Sequence, residues 1–130
     1  MIGTTDTQTL SNKTIAGGVH TGVIDDQGST RCSIVDVASG TNIDCAAGNY
    51  FVKTVNGNIT FTVSNVPASR AYAFTMEVTH TSGTITWFSG VQWPGNIAPS
   101  LTSGKVHLFT FLTDNAGTTW LGVSNINYNS

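Results

Sequence analysis

The chain has 130 residues, a length that fits one domain, and only 9% of them are charged, against roughly 25% in an average soluble domain. Its net charge is −2, and the five basic residues, Lys13, Arg31, Lys53, Arg70 and Lys105, are scattered. With no basic stripe to release counterions from a phosphate backbone, nucleic-acid binding and polybasic membrane contact are excluded.

The polar load falls instead on Thr, Ser and Asn, residues that suit strands and turns, so composition alone points to an all-β protein. A surface so poor in charge suits a protein covered by neighbours. Met1 to Asp6 carries neither a positive n-region nor an apolar h-region. The expectation is therefore a chain without a signal peptide, made in a reducing cytoplasm. No apolar run approaches the roughly 20 residues of a membrane span. Cys32 and Cys45 have no CxxC spacing and no nearby His. A disulfide and a pair of buried free thiols both remain open, and the reducing compartment favours the thiols.

In chain order, residues 1–31 come first. They are polar, rich in Thr and Gly and weakly periodic, and Gly17-Gly18, Gly22 and Gly28 interrupt any strand. This stretch is predicted to be an extended arm, or one short strand with loops, with a turn at Asp25-Asp26-Gln27-Gly28. Its apolar content is too low for it to fold on itself. Residues 32–130 are predicted to form the β body.

Period-2 alternation begins near Cys32. Tyr50 to Val55 and Asn58 to Val63 flank Asn56-Gly57, the strongest short hairpin signal. A two-residue loop pairs Thr54 with Ile59, Val52 with Phe61 and Tyr50 with Val63, which sets Tyr50, Val52 and Thr54 toward the core. Ala71 to Thr81 and Thr84 to Phe88 flank Ser82-Gly83 and are predicted to pair His80 with Ile85 and Val78 with Trp87. Tyr72, Phe74, Met76, Val78 and His80 then share the apolar face. A third pair joins Lys105–Thr113 to Thr118–Ile126 across Asp114-Asn115-Ala116-Gly117, with Phe111 opposite Trp120. Val106, Leu108 and Leu112 make the second side of Lys105–Thr113 apolar too, so that strand is expected to be central and covered on both sides, one of them by another subunit. Between the second and third pairs, Gly90 to Pro99 reads as a loop anchored by Trp93. Short strands with repeated turns and no helix of three turns predict an all-β fold, an antiparallel β-sandwich or jelly-roll-like body behind an extended N-terminal arm.

The catalytic inventory is thin. His20, His80 and His107 lack the close ligand spacing of a zinc site, and each reads as a hydrogen-bonded or surface imidazole. Of the carboxylates, Glu77 with Asp114 or Asp44 is the only pairing a glycosidase reading has to offer, and an isolated carboxylate on a strand's polar face is ordinarily just solvated. No nucleophile elbow, phosphate loop or dinucleotide fingerprint occurs. The expectation is a non-enzymatic protein with no cofactor and no metal. Aromatic residues default to core or interface packing. Trp93, beside Pro94 in a loop, is the one placed at a surface, where it would contact a glycan.

Two stretches resemble known proteins. Asp6-Thr7-Gln8-Thr9-Leu10-Ser11-Asn12-Lys13-Thr14-Ile15 resembles a T-Q-T-L-x-N-K-T segment frequent in tail-fibre-like proteins of tailed phages. Asn65 to Phe74, Val91 to Gly95, Gly104 to Phe111 and Thr113 to Trp120 resemble, in order and spacing, a β module of phage particle proteins. Together the resemblance covers residues 6–15 and roughly 41–126. In such proteins the module usually ends a longer fibre, whereas this chain starts at Met1 and stops at 130. The resemblance therefore implies a small head decoration or cement protein, on the virion surface, that binds and stabilises the capsid shell. It implies self-assembly, as a homotrimer, and contact with phage capsid or tail proteins. Thr7, Gln8, Thr9, Leu10, Asn12, Lys13 and Ile15 are the expected capsid-contact arm, and Val106, Leu108, Phe109, Phe111 and Trp120 the expected subunit interface. A tail-fibre or receptor-binding module recognising host-surface glycan through Trp93 is the alternative.

Overall fold

The computed structural model describes residues 9, 11, 12, 14 and 16–129. It divides into two units, Met1–Thr30 and Arg31–Ser130. In the first unit every described residue is exposed and none lies in a strand or helix. The expected turn is present there as an Asx turn. The Asp26 carboxylate accepts the Gly28 N–H at 2.9 Å and the Thr30 hydroxyl at 3.0 Å. These bonds, the backbone one first, hold that carboxyl below its usual range.

The second unit is built from strands, with a single 3-10 turn at Pro94–Asn96 and no α-helix among the described residues. The strands are β1 Ile34–Asp36, β2 Asn42–Asp44, β3 Tyr50–Asn56, β4 Ile59–Thr60 and β5 Thr62–Ser64. They continue with β6 Tyr72–Ser82, β7 Ile85–Thr86, β8 Val91–Gln92, β9 Lys105–Thr113 and β10 Trp120–Asn129. Six of them form one mixed sheet in the order β1-β3-β6-β9-β10-β8, and two small sheets pair β2 with β5 and β4 with β7.

The all-β character agrees with the composition, but the pairing differs from the sequence expectation in the first half. Neither Asn56-Gly57 nor Ser82-Gly83 closes a hairpin. β1, β3 and β6 run parallel, with Tyr50 beside Thr75 and Val52 beside Glu77, and both small sheets are parallel as well. The chain is wound: each pass along the large sheet is followed by a return through a small one.

The physical reason lies in the turns. A type I′ hairpin needs positive φ at both central residues, and neither Asn56 nor Gly57 has it. Instead the two turns stack. The Ile59 N–H donates to the Thr84 carbonyl at 3.0 Å, the Phe61 N–H to Thr86 at 2.9 Å, and the Thr84 N–H to the Asn58 side chain at 2.9 Å. Gly83, at φ +91, approaches so closely that a Cβ there would stand 2.1 Å from the Gly57 carbonyl carbon.

The winding also reverses the expected face of β3. Phe51, Lys53 and Val55 point inward and are buried, while Tyr50, Val52 and Thr54 face out. Lys53 tolerates the inward position because its Nζ donates to the carbonyls of Ala38 and, at 2.7 Å, Gly40. A buried ammonium is thus satisfied by a turn in which Ala38 takes φ +50. The expected face of β6 is observed, with Phe74, Met76, Val78 and His80 buried, although its partners are β3 and β9 rather than β7.

β9 and β10 form the antiparallel pair expected, and β9 is central in the sheet. The register is shifted by two residues along β10: Phe111 lies opposite Gly122 rather than Trp120, and Leu112 opposite Leu121. Trp120 therefore enters the core just beyond the last pair of the observed ladder, Leu112 with Leu121. The core gathers Phe51, Phe74, Phe88, Phe109, Phe111 and Trp120 with Ile43 from β2 and Phe61 from between β4 and β5. Phe74 sits at its centre, with ring centroids 5.3 Å from Phe111, 5.4 Å from Phe51 and 5.5 Å from Trp120. Fully burying one such side chain contributes about 1.5–3 kcal/mol.

Candidate functional site

Alternation along the strands gives the large sheet two faces. The inner face carries the aromatic core. On the outer face cross-strand neighbours form rows: Ala73, Leu112 and Leu121; Thr75, Thr110 and Val123; Glu77, Leu108 and Asn125; Thr79, Val106 and Tyr128. Leu112, Leu121, Val123 and Tyr128 are between 44% and 58% exposed there. Glu77 is held by the Tyr50 hydroxyl, which donates to its Oε2 at 2.6 Å. That bond to the carboxylate, first among the causes, raises the Tyr50 phenol above its usual range. Beside the β9–β10 turn lies a groove of about 520 Å³, floored by Ala73, Leu112 and Leu121 and rimmed by Asp114, Asn115 and Thr119.

Of the five residues expected at a subunit interface, the structure places two on this face, Val106 and Leu108. Phe109, Phe111 and Trp120 are fully buried in the chain's own core and are no part of its surface. Phe109 and Phe111 alternate with Val106 and Leu108 along β9, so that strand supplies both sets, and Trp120 comes from β10. Leu112 was legible in the sequence as an outward residue. Leu121 and Val123 were missed, although alternation from the inward Trp120 places both outward in the expected register as in the observed one. Of the arm residues, Thr9 and Asn12 are exposed, while Thr7, Gln8, Leu10, Lys13 and Ile15 lie outside the described residues.

Trp93 is half-buried rather than displayed on the loop. Its indole packs at 5.7 Å from Phe111, 5.9 Å from Trp87 and 6.1 Å from Phe109. It closes over Gly122, where an added Cβ would stand 2.8 Å from the ring. One side of it reaches a groove of about 440 Å³ shared with Pro94, Ile97, Pro99 and Val123.

Two aspartates have structural partners in tight turns. The Asp44 carboxylate accepts the Ala46 N–H and the Asn65 amide, and Asp36 accepts the Ala38 N–H. Glu77 lies on the outer face of the large sheet and Asp44 in a small sheet. Among the described residues no group of three His, Cys, Asp or Glu is placed to hold a metal ion.

His80 and His107 are buried side by side, ring centroids 5.7 Å apart. The Nδ1 of His107 accepts the Asn127 N–H at 3.0 Å, and its Nε2 lies 3.2 Å from the Thr102 carbonyl. Those partners select the neutral tautomer with the proton on Nε2. Asn127 takes φ +65 at the bulge in β10, and its side chain accepts the Thr102 N–H. The three residues clip the 101–104 loop to the last two strands. Burial, first among the causes, lowers the His107 value. His80 donates through Nε2 to the Gly83 carbonyl at 2.8 Å and leaves Nδ1 buried without a partner.

The two cysteines are free, Cys45 buried and Cys32 exposed. One thiol is therefore a core group, and the other was not expected at the surface. Burial pushes the Cys45 thiol up.

Compared with protein-family models, with curated proteins and with solved structures, the chain matches none of them.

Proposed function

We propose that the chain is a non-enzymatic structural protein on the surface of a bacteriophage particle, most simply a head decoration or cement protein. The observation that carries the reading is the ordered series of segments, residues 6–15 and roughly 41–126, that resembles phage particle proteins. Two features of the structure support it. The all-β body presents a sheet face of threonine and aliphatic side chains, a surface made to be covered. The N-terminal unit exposes Val19, Val23 and Ile24 at 68% or more, as a segment does that gains its burial on a neighbour. In this reading the two small sheets are the second layer of a sandwich-like body, and the arm lies across shell subunits.

A receptor-binding module is the second reading, favoured by the groove in which Trp93 lies with Pro94 and Pro99. Half-exposed indoles beside prolines suit the apolar faces of sugars.

The test is the copy number of this chain per purified particle, measured by quantitative mass spectrometry against the main shell protein. The decoration reading expects a number that scales with the shell. A handful of copies would overturn it in favour of a tail position, where Trp93→Ala would then weaken binding to host polysaccharide. Absence of the chain from particles would overturn both.

A further inference from the structure

A solvated face of an antiparallel sheet ordinarily alternates apolar-in with charged or strongly polar-out. The outer face of this large sheet does not. Among the outward residues of β3, β6, β9 and β10, Glu77 alone is charged, and its carboxylate is already bonded to Tyr50. The rest are Val52, Ala73, Val106, Leu108, Leu112, Leu121 and Val123 with threonines, Tyr50, Asn125 and Tyr128. A partner selected by charge has only Glu77 and, at the β1 edge, Asp36 to read.

We infer that this face is where a second copy of the chain packs, sheet against sheet, around Leu112, Leu121 and Val123. Three observations fit that occupant. First, the face is nearly free of charge: across β3, β6, β9 and β10 a facing copy meets one carboxylate, Glu77, already bonded by the Tyr50 hydroxyl, and no other ion. Second, its size suffices. Four strands about 4.8 Å apart, each contributing roughly eight residues at about 3.3 Å, span on the order of 500 Å². Two such faces together reach the roughly 1,000 Å² that separates specific interfaces from incidental ones. Third, it has relief as well as area. The groove of about 520 Å³ floored by Ala73, Leu112 and Leu121 gives an apolar side chain of the facing copy a seat. A flat, twisted sheet is matched best by another twisted sheet about 10 Å away, and each copy supplies one. The inference stands on the face itself and is independent of the particle role.

The experiment is sedimentation of the full chain from about 1 to about 100 µM, the range in which interfaces of this size assemble. The expected mass is twice the 13.7 kDa of one chain, since one sheet face receives one facing copy. A mass of one chain across the whole range would overturn the inference. Leu121→Asp and Val123→Asp each place a charge on the face without touching the core. Each is expected to weaken association at least about tenfold, with the near-UV signal of the tryptophan cluster unchanged. Thr60→Asp, at an exposed residue of β4 in a small sheet, is the control and leaves the mass as it is. If both face variants keep the native near-UV signal and the wild-type mass, the copies meet elsewhere and the inference falls. Should one variant lose that signal, the other decides.

Discussion

The strands from Ile34 to Thr86 and those from Lys105 to Asn129 share one core but are organised by different rules. The later pair is a hairpin whose register follows from one local turn and whose two strands exchange bonds directly. The earlier strands are wound, and each pairs with a neighbour one winding away. A local turn can set a hairpin by itself. A winding is set only when turns distant in sequence meet, as those at Gly57 and Gly83 do. The wound part therefore depends on close backbone approach between turns, and the hairpin on side chains packed against its inner face.

That difference can be broken at single atoms. The largest effect is expected at Gly83→Ala. The residue sits at φ +91 and its Cβ would overlap the Gly57 backbone, so the loss of stability in urea should exceed about 3 kcal/mol. Gly57→Ala meets nothing within 4 Å and should cost less than about 1 kcal/mol. In an Asn-Gly hairpin the order would be reversed, since Gly57 would then need positive φ.

A smaller effect is expected in the hairpin. Gly122→Ala pushes a methyl toward the Trp93 ring at 2.8 Å, but a ring edge can give way where a backbone cannot. About 1–3 kcal/mol should be lost, with a shifted tryptophan emission as the indole moves off Gly122. An unchanged emission would mean that Trp93 does not close over this position.

The mildest prediction concerns acid. His107 is neutral in the fold and its value lies below the ordinary 6.5. Its contribution to stability is complete above that ordinary value and is lost as pH falls through the folded one. Protonation sets a second N–H against that of Asn127, and of the titrating groups around it His80 is the one whose charge adds to the penalty. The urea midpoint should fall from pH 7.5 toward pH 5, and His107→Asn should flatten the slope. The Asp26 and Asp44 carboxyls, held below 3.8, act in a separate and more acidic window.

Much of this was legible in the sequence, and the exceptions have physical causes. The inner face of β6 and both faces of β9 follow from alternation, because Phe74, Met76 and Val78, like Phe109 and Phe111, recur with period two. The face of β3 was hidden by Lys53, which reads as solvent-facing until its ammonium is seen to bond the turn at Ala38 and Gly40. The pairing of β3 was hidden because Asn-Gly is informative only when its residues adopt positive φ, and stacking against Gly83 provides another conformation. Leu121 and Val123 were legible as outward from their alternation with Trp120, and the two-residue shift of β10 keeps that face. Trp93 was expected at a surface, and Gly122 is the reason it is half-buried: a residue without a side chain opens room for the ring.

The contrast between the wound part and the hairpin is tested most directly by NMR couplings across the backbone hydrogen bonds. The account predicts couplings from the Ile59 amide to the Thr84 carbonyl and from Phe61 to Thr86. It predicts also that Thr54 has its amide neighbours at Thr79, in β6. Cross-strand Hα contacts joining Thr54 to Ile59 and Val52 to Phe61 would contradict it, since only an antiparallel hairpin at Asn56-Gly57 brings those residues together.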